Sequence, residues 1–235
     1  GKRARRNPRE IAGEVLAHLE GHAAIADITV AGPGFLNIKV TPECLAERAQ
    51  SIRVDEKAGA QAAEELQTIV IDFGGPNVAK PMHVGHLRSA VIGDTLKRLC
   101  RFLGHKVIGD AHLGDWGLQM GQLIIALSDE QPELPYFDAS NEGPFPQESP
   151  VTIDDLARLY PLASGKSKSD EAYRERCQRA TAELQAGHAG YRALLDHFIK
   201  VSVEALKVDY DRLNVSFDLW KGESDADPFV GPMIE

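Results

Sequence analysis

The sequence lacks any run of about 18 apolar residues, the length a helix needs to cross a bilayer, and its amino end carries no basic-then-apolar leader. Neither a membrane span nor a secretory route is supported. Cysteine is scarce: Cys44, Cys100 and Cys177 are odd in number, far apart and without a C-x-x-C pair. That argues against a disulfide framework or a cysteine zinc site and fits reduced thiols in the cytoplasm. Net positive charge is missing too, since 26 Lys and Arg face 35 Asp and Glu, for a formal charge of −9. A protein that held nucleic acid by bulk attraction would be basic, so any such contact has to come from local patches. One candidate is Lys2 to Arg9, with five basic residues; a solvated helix end is the competing reading. Asn214-Val215-Ser216 fits a glycosylation pattern, which in a cytoplasmic chain is chance.

What is present is ordinary for a globular protein: 43% hydrophobic and 26% charged residues in 235, enough to bury the core of one or two domains. The chain begins at Gly1 rather than Met and stops after Pro232-Met233-Ile234-Glu235 with no terminal signal, so it reads as a fragment. Asn7, Pro8 and Glu10 have the order of an N-cap, first helical residue and capping-box acid. Strand-like runs at Ile25 to Val30 and Phe35 to Val40 flank Gly32-Pro33-Gly34, and Thr41-Pro42 opens a helix to about Arg53. Residues 1–55 thus form a small, partial α/β N-terminal domain, and 56–67 a polar connector. Thr68 to Asp72 is an apolar, β-branched run suited to a buried parallel strand. An amphipathic helix from His86 to Gly104 follows, then a strand at Lys106 to Gly109 and a helix capped by Asp115. Strand, helix, strand, helix is the opening of a Rossmann-like parallel sheet. That fold occupies 68–235 with a helical insertion at about 129–186, and Tyr191 to Leu213 forms one long helix beyond it.

His83-Val84-Gly85-His86 sits between a Gly-Pro loop and the first turn of a helix, where a parallel sheet directs a helix N-terminus at an anion. Two imidazoles three residues apart share one side of the turn, and both can donate to phosphate oxygens. Gly85 leaves backbone open to a flat base, and Lys80 adds a mobile cation. With no clear acid or base present, the pattern suits phosphoryl chemistry run by positioning and charge. A metal pair or two surface histidines are the alternatives; the metal is disfavoured because no third ligand lies at a suitable spacing. A decoy is Ser164-Gly165-Lys166-Ser167-Lys168-Ser169, which mimics a phosphate-loop tail but has Tyr160 where that loop needs glycine. It reads as a solvated loop.

Pro76-Asn77-Val78-Ala79-Lys80-Pro81-Met82-His83-Val84-Gly85-His86-Leu87-Arg88-Ser89 is similar, almost letter for letter, to the signature of arginyl-tRNA synthetases. His112-Leu113-Gly114-Asp115-Trp116-Gly117-Leu118-Gln119-Met120-Gly121 resembles a second block of that family, and Phe217-Asp218-Leu219-Trp220-Lys221-Gly222-Glu223-Ser224 a third. Ala31 to Ile38 looks like the end of its extra N-terminal domain. The resemblance implies activation of L-arginine by ATP, with Mg2+ as nucleotide counter-ion, and transfer to tRNA(Arg) by an intact, monomeric enzyme. It implies that His83 and His86 hold the phosphates, that Gly85 faces adenine, and that Asn77 and Asp72 meet the amino acid. Lys80 would replace the lysine of the second class I motif, and His83 would also touch the arginyl moiety. His112, Asp115 and Gln119 are further candidates; Asp115 as an N-cap and Trp116 as core filler are their structural competitors, while Trp220 and Glu223 read as packing and capping. At Gly75 relatives often have Ser or Ala, so a side-chain contact is missing there. By itself the fragment is expected to be inactive. The other readings are another H-x-G-H nucleotidyltransferase, or a non-catalytic tRNA-binding module derived from a synthetase.

Overall fold

The structure, a computed structural model, describes residues 5–234. The chain divides into two compact units, one up to Ala62 and one from Ala63. In the first, helix α1 (Pro8–Leu19) starts where Asn7 accepts a hydrogen bond from the Arg9 amide at 2.9 Å and Pro8 needs no donor partner. Glu10 closes no reciprocal bond; Glu14, one turn on, pairs with Arg6. Of the basic run at the amino end, Lys2 and Arg3 lie outside the described residues, and Arg5, Arg6 and Arg9 are exposed. Strands β1 (Ile25–Ala31) and β2 (Phe35–Val40) form an antiparallel hairpin, and α2 (Pro42–Val54) begins where Thr41 accepts from Cys44.

In the second unit β3 (Thr68–Asp72) and β4 (Lys106–Asp110) pair in parallel, from Thr68 against Lys106 to Asp72 against Asp110. Helix α3 (Val84–Phe102) makes the crossover. Residues 218–222 run along the other side of β4, with Ala111 donating to the Leu219 carbonyl at 3.0 Å and Leu113 to that of Lys221 at 2.7 Å. The sheet is therefore longer than the two strands read from sequence. The expectation of a buried β3 is corrected: alternate residues are exposed, Val70 at 65%, because among the described residues nothing covers that face.

The core is helical. Helix α4 (Leu118–Glu130) is buried without a break from Met120 to Leu127, enclosed by α5 (Ile153–Ser169), α6 (Glu171–Gln185) and α7 (Ala189–Arg212). Its backbone lies so close to α6 that a β-carbon on Gly121 would stand 2.2 Å from the Cys177 carbonyl. Helix α8 (Glu223–Ile234) closes the unit. Ser164 to Ser169 is not a loop, since α5 runs through Pro161 to Ser169. A capping box between Thr152 and Asp155 starts this helix, and Leu156, Leu159, Ala163 and Ser167 bury one face of it. Packing on that face outweighs the hydrogen bond that Pro161 removes.

Candidate active site

The site is built where β3 and β4 end. After Asp72 the chain turns through Gly74, at φ +67°, whose carbonyl accepts from the buried Tyr210 hydroxyl of α7. Burial pushes the Tyr210 phenol up to about 12, so it stays a donor. At Gly75 a β-carbon would stand 1.9 Å from the His112 carbonyl oxygen. Backbone, not substrate, occupies the space a side chain would need here.

The two loops then run side by side. Val78 donates to the Gly114 carbonyl at 3.0 Å, and Asn77 and Gly114 form a parallel bridge. Gln119 donates to the same carbonyl at 2.7 Å. The Asn77 side chain rests on Gly114, where a β-carbon would lie 2.1 Å from its Oδ1. Asn77, Gly114 and Gln119, read separately in the sequence, are one assembly.

His83 is the N-cap of α3. Its Nδ1 accepts from the Gly85 amide at 3.1 Å, while its own amide donates to His86 Nδ1 at 3.3 Å. The rings stack with centroids 3.9 Å apart and planes 20° from parallel. Because backbone N–H groups occupy both Nδ1 lone pairs, each neutral ring carries its proton on Nε2. Two N–H donors thus leave the helix N-terminus, where the macrodipole favours an anion. Burial, then the neighbouring His83, then Lys80 hold His86 below the ordinary histidine range, which keeps its ring neutral at pH 7.

Asp72 is exposed at the end of β3 and, with Gly85, Arg88 and Ser89, lines a groove of about 400 Å³. Its register partner Asp110 was not anticipated. Asp110 Oδ2 lies 3.3 Å from His112 Nδ1, and its Oδ1 is buried with no hydrogen-bond partner. The signal available in the sequence was an acid closing the second strand in register with the acid closing the first.

Asp115 does not cap α4. Gly117 does, with no side-chain bond, because Asp115 stands two residues too early. The Asp115 carboxylate, 1% exposed, instead accepts from the amide and hydroxyl of Ser224, so it fastens α8 to the loop after β4. Trp116 is partly buried against the core, donates from Nε1 to Asp227 at 3.1 Å, and carries the Arg192 guanidinium 4.4 Å from its ring centroid. Trp220 packs on Tyr210 and Phe217.

Below the site, α3 is tied to residues 214–216. Buried Lys97 pairs with Asp94 at 2.8 Å and donates to Ser216, while Arg98 reaches Asp94 and the Asn214 carbonyl. Burial opposes ionisation of Asp94, yet bonds from Lys97, Arg98 and Ser216 hold it below the usual carboxylate range. Among the described residues no three His, Cys, Asp or Glu side chains gather as a metal site would require, and no helix is long and apolar enough to cross a membrane.

A family model described as "tRNA synthetases class I (R), catalytic domain" matches residues 48–234, and one described as "Arginyl tRNA synthetase N terminal domain" matches 1–40. An arginine–tRNA ligase of Hyphomonas neptunium is 63% identical over 234 residues, covering 100% of this chain, and one of Maricaulis maris is 57% identical. The chain spans about 40% of the length of these relatives. In fold it is similar to arginyl-tRNA synthetase of Plasmodium falciparum, with a TM-score of 0.71 at 22% identity over 97% of this chain and 38% of that one. For the Thermus thermophilus arginyl-tRNA synthetase the TM-score is 0.64 at 21% identity, over 95% and 34%. With the catalytic-domain model covering residues 48–234 of 235, the chain belongs to the class I arginyl-tRNA synthetase family.

Proposed function

We propose that the intact gene product is an arginine–tRNA ligase and that His83 and His86 hold the phosphates of ATP. The observation that carries this reading is the pair of backbone N–H bonds to His83 and His86 Nδ1 at the N-terminus of α3, which leave both Nε2 atoms to donate.

In the first step a carboxylate oxygen of L-arginine attacks the α-phosphorus of ATP. The bond to the bridging oxygen breaks, and pyrophosphate leaves with that electron pair. Charge grows on the phosphoryl oxygens and the leaving group, where donors already in place cost no reorganisation; each is worth on the order of 10²–10³ in rate. Neutral rings serve here as well as charged ones, because what is donated is the Nε2 proton. Lys80 supplies the full positive charge, and Mg2+ enters as the counter-ion of ATP. Asn77 and Asp72 are assigned to the arginine, and Asp110 joins them as a second carboxylate facing a cation. Gly85 and the groove along α3 receive the adenosine. In the second step a hydroxyl of the terminal adenosine of tRNA(Arg) attacks the arginyl carbonyl and AMP leaves. His112 and Gln119 shape the loop that borders the amino acid. The protein works in the cytoplasm as a monomer. The N-terminal unit contributes tRNA contact through its basic amino end.

The test is pyrophosphate exchange into ATP by the intact gene product with tRNA present. Exchange that requires arginine supports the reading. Exchange with no amino acid, or with a different acceptor, assigns the site to another H-x-G-H nucleotidyltransferase, and no exchange at all leaves a non-catalytic module.

A further inference from the structure

Lys80 is the cationic side chain given a part in the proposed chemistry, and the chain around it is constrained. Ala79, just before it, has φ +66°, a left-handed conformation that a β-carbon disfavours. Its amide donates to the Ser202 hydroxyl of α7 at 3.0 Å, and both residues are buried. The Lys80 amide closes a turn on the Asn77 carbonyl at 3.4 Å. Backbone geometry therefore sets the direction in which the lysine leaves the loop. Its ammonium lies 4.7 Å from the centroid of the Tyr160 ring, on α5 of the insertion, and close enough to His86 to oppose that ring's protonation. Beside it is a cavity of about 330 Å³ that Lys80 shares with Asp154 and Asp209. A lysine has a long, flexible stem, and two carboxylates in that cavity offer it another home.

We infer that Tyr160 is a positioning residue for Lys80: its ring face holds the ammonium of this residue, three positions before the histidine pair, away from Asp154 and Asp209. This rests on the role proposed for Lys80 in arginine activation. The ring suits the task because its attraction for a cation is broad and has no proton to exchange, so the ammonium can shift toward a developing phosphoryl charge without breaking a directed bond. It also gives the insertion a part in catalysis. Through Tyr160 and Ser202, α5 and α7 fix a residue that belongs to the nucleotide loop.

A cation–ring contact of this kind is worth about 3- to 30-fold in rate if it is realised at the transition state. In the intact gene product, Tyr160→Leu is expected to lower kcat for arginine-dependent pyrophosphate exchange roughly tenfold, with the KM for arginine unchanged. Tyr160→Phe, which keeps the ring, restores the rate. In a Lys80→Ala background Tyr160→Leu has no further effect on single-turnover adenylate formation. If Tyr160→Leu does not fold, phenylalanines of increasing fluorination at position 160 keep the shape while draining charge from the ring face, and the rate falls with each fluorine. The inference is overturned if Tyr160→Phe loses as much as Tyr160→Leu, if the loss persists without Lys80, or if the fluorinated series is flat. A wild-type protein with no arginine-dependent exchange refutes the functional reading itself, and that result is distinct from any outcome in the variants.

Discussion

His83 does two jobs in the structure that a single substitution confuses and a pair of substitutions separates. As N-cap of α3 its Nδ1 accepts the Gly85 amide, and as a proposed phosphate ligand its Nε2 donates outward. Asparagine is among the best N-caps and offers Oδ1 near the place of Nδ1, but it has nothing at the position of Nε2. His83→Asn should therefore leave stability within about 0.5 kcal/mol of wild type, whereas His83→Ala loses the cap and about 0.5–2 kcal/mol. Loss of the donor costs both variants about 10²–10³ in rate, roughly 3–4 kcal/mol at the transition state. Urea denaturation measures the first quantity, and arginine-dependent pyrophosphate exchange at saturating arginine measures the second. A phosphate-binding role for His83 is refuted if His83→Asn exchanges at nearly the wild-type rate. It is equally refuted if the rates of the two variants track their stabilities, because His83 would then serve the helix and not the phosphates.

Three other perturbations test the surroundings. His86 binds its proton more weakly in the folded chain than in the unfolded one, so the neutral ring's contribution to stability is present above the ordinary value of 6.5 and is lost as pH falls through the lowered folded value. Denaturation midpoints of wild type should fall on acidification below pH 6.5, and His86→Asn should flatten that part of the profile. Tyr210→Phe leaves the Gly74 carbonyl without its buried donor and should cost about 1–3 kcal/mol in denaturant unfolding, with a lower exchange rate as the loop after β3 loosens. Gly114→Ala forces Asn77 aside, since the new carbon would lie 2.1 Å from Oδ1; the KM for arginine should rise at least tenfold while the KM for ATP stays near wild type, if Asn77 contributes even about 1.4 kcal/mol to arginine binding.

The parts of the site that were legible in the sequence are those built from local chemistry. The glycines after β3, the histidine at the start of a helical period and the strand–helix–strand rhythm all depend on neighbours a few positions away. The parts that escaped are long-range. Asp115 looked like an N-cap because it precedes a helix, yet its acceptor capacity is taken by Ser224, 109 positions on. Ser164 to Ser169 looked like a loop because Ser, Gly and Lys are poor in apolar side chains; its helical state comes from α5 being buried along Leu156, Leu159 and Ala163. Ser202 and Tyr210, which shape the loop after β3 from α7, gave no sign in the sequence beyond membership of an amphipathic pattern. Asp110 was visible only once β3 and β4 were in register.

The proposed ligand of this loop-and-helix site is an arginyl-adenylate. The most direct test of this assignment is equilibrium binding of a non-hydrolysable arginyl-adenylate mimic to the intact gene product and to His83→Asn, beside ATP and a glutamyl-adenylate mimic. The arginyl compound should bind most tightly, and His83→Asn should weaken it together with ATP. Equal binding of the arginyl and glutamyl compounds, or binding indifferent to His83, would contradict the assignment.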